Sequence, residues 1–205
     1  CLEFMLSGDL RTLMSVTTDK VEVFENILKL GECEHYLDLG AYKGDTIEEL
    51  LHYTSGKYSS IIALEPDVKT FRKLEAFADG MPDVELHRKA VYSFGGTVNF
   101  NSAAGRQSSI GKNGVITESV TVDELCKGRG ATYIKMDVEG AEIDAILGAK
   151  ETLFTQKPKL NIALYHKFTD FFKIPLLIHS INPDYKFHIR RHPYIPCWDM
   201  NLYCV

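Results

Sequence analysis

The chain has no apolar run near the ~18 residues that a membrane-crossing helix needs, and its start lacks the charged-then-apolar order of a secretory leader. A cytoplasmic protein without a membrane partner is therefore expected. Five cysteines (Cys1, Cys33, Cys126, Cys197 and Cys204) form no C-x-x-C pair, which argues against zinc and for reduced thiols. Basic residues are scattered apart from "IRRH" at 189 to 192, and the net charge of -5 is mild. No nucleic-acid footprint results. The nucleotide fingerprints are missing too. Counting from Gly40, the second and third glycine positions of G-x-G-x-x-G hold Tyr42 and Asp45, two obstacles where a pyrophosphate would sit, and no G-x-x-x-x-G-K-[ST] occurs. A small-molecule partner remains. The first residue is Cys1 and not methionine, so further residues are expected upstream. No oligomeric state is read.

With 205 residues, 45% hydrophobic and 25% charged, the chain fits one globular domain with a sizeable core. Residues 1–31 read as a helical lead-in, in which "DKVEVFENILKL" (19–30) is an amphipathic helix with a capping box at Asp19 and Glu22. Residues 32–205 read as the main domain. Strands are expected at 35–40, 60–66, 83–91, 132–138, 158–165, 185–191 and 198–205, and helices at 45–54, 67–78, 141–154 and 169–181, the last with Pro175 as a kink or restart. Strands alternating with helices of this length imply crossovers and a parallel sheet. The link between the last two strands, "HPYIPC", is too short for a crossover helix, so the final strand should be antiparallel. Glycines punctuate 92–121, an insertion expected to hold a strand pair hanging off the main sheet around a mobile middle, "NSAAGRQSSIGKNG", with Ser108 and Ser109. The fold class is α/β, a seven-stranded, mostly parallel, Rossmann-like sheet with helices on both faces.

Such a sheet binds its ligand beyond the carboxyl ends of its strands. In "YLDLGAYKGDTIEEL" (36–50), Gly40 and Gly44 let backbone approach a ligand closely. The helix starting near Asp45 turns its free amides towards an anionic group, and Asp38 suits a cationic one. An amino-acid zwitterion carries both. Glu65 ends the second strand where a ribose-binding carboxylate falls in this fold class. An acidic first loop, a ribose carboxylate and no diphosphate motif together point to S-adenosylmethionine. In "YIKMDVEGAEIDAILGAKETL" (133–153), Lys135, Asp137 and Glu139 share one side of a central strand.

These segments carry a resemblance. "LDLGAYKGDT", "IIALEPD", "IKMDVEGAEIDAILGA" and "IALYHKFTDFFKIPLLIHSINPDYKFHIRRH", in this order, resemble the FkbM-type family of S-adenosylmethionine-dependent methyltransferases over roughly residues 17 to 205. "DVEGAE" and "YHK…D…IP" are the specific parts. The resemblance implies a class I methyltransferase fold and methyl transfer to a hydroxyl oxygen of a sugar or natural-product-like small molecule. Carried over by position, Asp38, Gly40, Gly44 and Asp45 hold the methionyl portion, Glu65 the ribose, and the stretch around Lys89 and Ala90 the adenine. Asp137 lies by the sulfonium and the acceptor. One departure is Leu164, which stands where many members carry a glutamate.

Catalytic candidates are His166, Asp137 and Lys135. His166 is expected to be the general base, because a histidine titrates near working pH. No metal is assigned. Asp137 acting as base, or as a metal ligand with His166, is the competing version. The alternatives to an enzyme of this kind are a binding module of the same fold without turnover, and a nicotinamide-dependent oxidoreductase.

Overall fold

The computed structural model of the protein describes residues 2–101, 109–110, 114–194 and 199–205. Short helices α1 (Leu2–Ser7), α2 (Leu10–Met14) and α3 (Lys20–Glu22) lead in, and Asp19 caps α3 by accepting the Val21 N–H. The expected helix over 19–30 continues instead as a π-helix, Val23–Leu28, closed by the Lys29 N–H donating to Phe24 O. The wider turn brings Val23, Phe24, Ile27 and Leu28 all into the core. The lead-in is thus packed onto the sheet.

Next come β1 (His35–Leu39), α4 (Asp45–Tyr53), β2 (Ser60–Leu64), α5 (Val68–Ala78), β3 (Val84–His87), β4 (Ala90–Val91), β5 (Gly96–Asn101), β6 (Ser109–Ile110), β7 (Val115–Val120) and α6 (Val122–Cys126). The chain closes with β8 (Tyr133–Met136), α7 (Glu142–Leu147), α8 (Lys150–Thr155), β9 (Lys159–Ala163), α9 (Asp170–Ile181), β10 (Phe187–Arg191) and β11 (Met200–Cys204). The main sheet has seven strands in the order β10-β11-β9-β8-β1-β2-β3. Only β11 runs antiparallel to its neighbours in it, as the short final link requires. Strand order reverses between β1 and β8, which sets the ligand crevice there.

Alternation along the strands builds two cores. Leu37, Leu39, Ile62, Leu64, Ile134 and Met136 pack on one face, while Tyr36, Ile61, Ala63, Tyr133 and Tyr203 pack on the other. Each fully buried large side chain contributes roughly 1.5–3 kcal/mol of apolar transfer. Register then lines up a polar row on the second face, with Asp38 opposite Lys135, Lys135 opposite Asn161, and Asn161 opposite Tyr203.

Three expectations are corrected. The strand expected over 83–91 is split, because β2 runs into Pro66, which has no N–H to extend the ladder; the last contact is the Glu65 N–H to His87 O. Ala90 and Val91 then pair with β7 in a separate four-stranded sheet, β4-β7-β5-β6, in place of a strand pair on the main sheet. The helix expected over 141–154 is two helices, restarted where Asp123 accepts the Glu151 and Thr152 N–H groups and so caps α8. Pro175, by contrast, lies inside an unbroken α9. Ser108 and most of the glycine-rich middle (102–108, 111–113) lie outside the described residues. Among the described residues no helix is long and apolar enough to cross a membrane.

Candidate active site

A cavity of about 690 Å³ opens along the carboxyl edge of the main sheet. Residues just past the ends of β1, β2, β8 and β9 line it: Gly40 and Tyr42, Glu65, Asp137, and Tyr165 with His166. Ala90 and Phe100 of the second sheet close one side. Of the expected site residues, Gly40, Asp45, Glu65, Ala90, Lys135, Asp137 and His166 reach this one space. Lys89 does too.

Asp38 and Gly44 do not reach it. Asp38 is fully buried behind the wall, where Oδ2 accepts the Thr46 hydroxyl at 2.5 Å and Oδ1 lies 3.4 Å from Lys135 Nζ. Lys135 also donates to Gly40 O at 2.7 Å. Burial would depress the ammonium, but Asp38, Asp137 and Asp45 outweigh it and keep Lys135 charged. The pair thereby braces the first loop against β8, a positioning task for both residues. Gly44 is left-handed (φ +97), and a Cβ there would stand 2.3 Å from the Phe77 ring. Gly40 (φ +84) lies so close to β8 that a Cβ would meet Asp137 O at 1.9 Å. The glycine that the sequence suggested for ligand approach is required by strand packing.

Glu65 stands at the rim with Oε2 accepting the Tyr42 N–H (3.1 Å) and Oε1 accepting the Asp67 N–H (2.8 Å). Burial pushes its carboxyl up to about 7, and the charge of Asp67 adds to the rise.

Asp137 and His166 meet across the crevice. The Tyr165 hydroxyl donates to Asp137 Oδ2 at 2.9 Å, while Asp137 Oδ1 lies 3.4 Å from His166 Nε2. Glu139 Oε2 is 3.2 Å from the same nitrogen, and Glu142 Oε1 is 2.9 Å from Nδ1. Glu142 also accepts the Val138 and Gly140 N–H groups, so one buried carboxylate fixes both the β8–α7 turn and the imidazole. Carboxylates only accept, so Nδ1 donates to Glu142. Burial alone would lower the His166 pKa, but hydrogen bonds to Glu139 and Glu142 and the charges of Glu142 and Asp137 lift it to about 10. The surrounding carboxylates thus favour the protonated ring, and Asp137 stands beside His166 as the other candidate for the base.

Sequence reading missed Tyr165, Glu142 and Thr46 as parts of the site. Glu142 is the last residue of the quoted "DVEGAE", three positions after Glu139 on the first turn of α7, and Tyr165 directly precedes His166. The motif signalled both, though not their contacts.

No curated protein matches the chain significantly. The crystal structure of a methyltransferase FkbM from Methylobacillus flagellatus KT superposes with a TM-score of 0.80 at 25% identity, covering 100% of this chain and 52% of that one. This chain thus spans about half the length of that relative. Fibrillarin from Aeropyrum pernix in complex with natively bound S-adenosyl-L-methionine shares the fold, with a TM-score of 0.57 at 10% identity over 95% of this chain and 74% of that one. Precorrin-6y C5,15-methyltransferase from Geobacter metallireducens GS-15 does likewise, with 0.53 at 10% over 86% and 80%. The family profile described as the methyltransferase FkbM domain matches residues 38–191, a span that includes Gly40, Glu65, Asp137 and His166 of the cavity wall, and the chain belongs to that family.

Proposed function

We propose that the protein is an S-adenosylmethionine-dependent methyltransferase that methylates a hydroxyl oxygen of a small molecule such as a sugar or natural-product scaffold. The observation carrying this reading is the meeting of Glu65 and Asp137, from the ends of β2 and β8, on one cavity beside Gly40 in a chain of the FkbM family. The donor set fits the cofactor: carboxylates outnumber lysines around the cavity, which suits a cationic ligand, and Asp137 Oδ1 is buried without a hydrogen-bond donor. When bound, S-adenosylmethionine supplies a methyl group on a sulfonium leaving group.

The chain's residues bind, orient and handle the proton. Glu65 accepts ribose hydroxyls, and Ala90 and Phe100 enclose the base. Asp45 and the backbone of Gly40 and Tyr42 hold the methionyl end. Asp137, in place of His166, takes the acceptor's proton, and the Tyr165 hydroxyl holds its other oxygen. Alignment supplies the larger part of the rate, ~7–11 kcal/mol of barrier, against ~100- to 10,000-fold for the base. Calorimetric titration tests the cofactor assignment. S-adenosylmethionine should bind once per chain, and Glu65→Ala should weaken it at least tenfold. Asp137→Asn should retain binding and lose label transfer from methyl-labelled cofactor to a hydroxyl acceptor. Binding of a nicotinamide dinucleotide in place of S-adenosylmethionine would overturn the reading.

A further inference from the structure

We propose that Asp137, Glu139 and His166 form a binding site for one divalent transition-metal cation of the Mn2+ type on the cavity wall. One ligand atom from each lies within 4.8 Å of the others. His166 Nε2 is 3.4 Å from Asp137 Oδ1 and 3.2 Å from Glu139 Oε2. Two ligands at right angles on an ion with ~2.1 Å bonds stand ~3.0 Å apart, and both imidazole–carboxylate separations are already close to that value.

Binding would release the Nε2 proton to solvent and leave its lone pair for the ion, and the imidazole is already aimed for this. Glu142, 1% exposed, holds Nδ1 at 2.9 Å, the carboxylate–histidine arrangement that orients a metal-binding ring. Asp137 Oδ1 is a buried oxygen with no hydrogen-bond donor, and its other oxygen is held by Tyr165. Glu139 sits in the left-handed region at φ +53 with its carboxylate on the same nitrogen. Charge points the same way: three carboxylates surround one imidazole, while the neighbouring Lys167 ammonium is engaged by Gly140 O. Two carboxylates and an imidazole favour Mn2+ or Fe2+ over Ca2+. The remaining coordination positions face the cavity, open to an acceptor oxygen. That role for the ion rests on the hydroxyl-methylation reading; the site itself does not.

The test uses chelator-treated full chain titrated with MnCl2 alone, without cofactor or acceptor, followed by the loss of the free-Mn2+ electron paramagnetic resonance signal and by calorimetry. One ion should bind per chain, and melting temperature should rise with Mn2+. Asp137→Asn and Glu139→Gln should each weaken binding at least tenfold. Glu142→Gln, which releases the ring, should weaken it ~10- to 100-fold. Glu75→Gln, on the exposed side of α5, should change nothing. Circular dichroism and S-adenosylmethionine titration of each variant separate lost binding from lost folding. No uptake at millimolar Mn2+, or uptake that survives Asp137→Asn and Glu139→Gln in folded protein, would overturn the site. Cofactor binding without Mn2+ uptake would reject the metal and keep the methyltransferase; Mn2+ uptake without cofactor binding would do the reverse.

Discussion

Burial keeps the Glu65 carboxyl protonated up to about pH 7, with Asp67 and Lys135 the charges that bear on it. Unfolding returns it to its ordinary pKa near 4.5. Between those values the native chain holds a proton that the unfolded chain has released, so folding stability falls as pH rises through this window. The loss is on the order of 3 kcal/mol for a shift of this size. Denaturant melts at pH 4.5, 6 and 7.5 should show it, and Glu65→Gln should flatten most of the difference. A pH dependence unchanged by that substitution would place the raised carboxyl elsewhere. The same residue shows how far single positions can be read. A carboxylate at the end of the second strand is legible, but its amide partners at Tyr42 and Asp67 come from the way two loops fold over it.

Capping decides where several elements stop. Thr121 and Glu124 form a capping box at α6, a local signal that sequence reading passed over because the preceding residues alternate like a strand. The start of α8 has no local cap. Asp123 supplies it from α6, accepting the Thr152 N–H and hydroxyl, each at 2.8 Å, and the Glu151 N–H at 3.1 Å. Asp123→Ala should cost ~1–2 kcal/mol, measured by chemical denaturation, with Asp123→Asn retaining part of it. A neutral result would mean that the α7–α8 break is held by packing alone. At Gly148 in that break a Cβ would stand 2.4 Å from Tyr92 O, so the interruption also lets the second sheet approach. Strands were legible as apolar runs bounded by turn residues, whereas this break depends on a partner over twenty residues away and leaves no periodic trace.

For the whole molecule, a ligand that binds only the folded state stabilises it by mass action, ~2.7 kcal/mol at 100 times its dissociation constant. Thermal melts with S-adenosylmethionine should therefore shift upward by several degrees, and nicotinamide dinucleotide should leave them unchanged. An equal shift with both would indicate non-specific binding. The order of strands makes a shared site possible, since reversal between β1 and β8 opens the crevice that Glu65 and Asp137 reach from either side.

The alternation of strands and helices, the antiparallel last strand and the acidic strand ends at Glu65 and Asp137 were determined by sequence alone, because hydrophobic period and link length are local properties. Only the tertiary structure decided what each acidic group faces. It buried Asp38 on Lys135 behind the cavity wall, and it ringed His166 with carboxylates, surroundings that no local pattern contains. A side chain's ionisation and its access to a ligand depend on neighbours that only packing brings within a few ångströms.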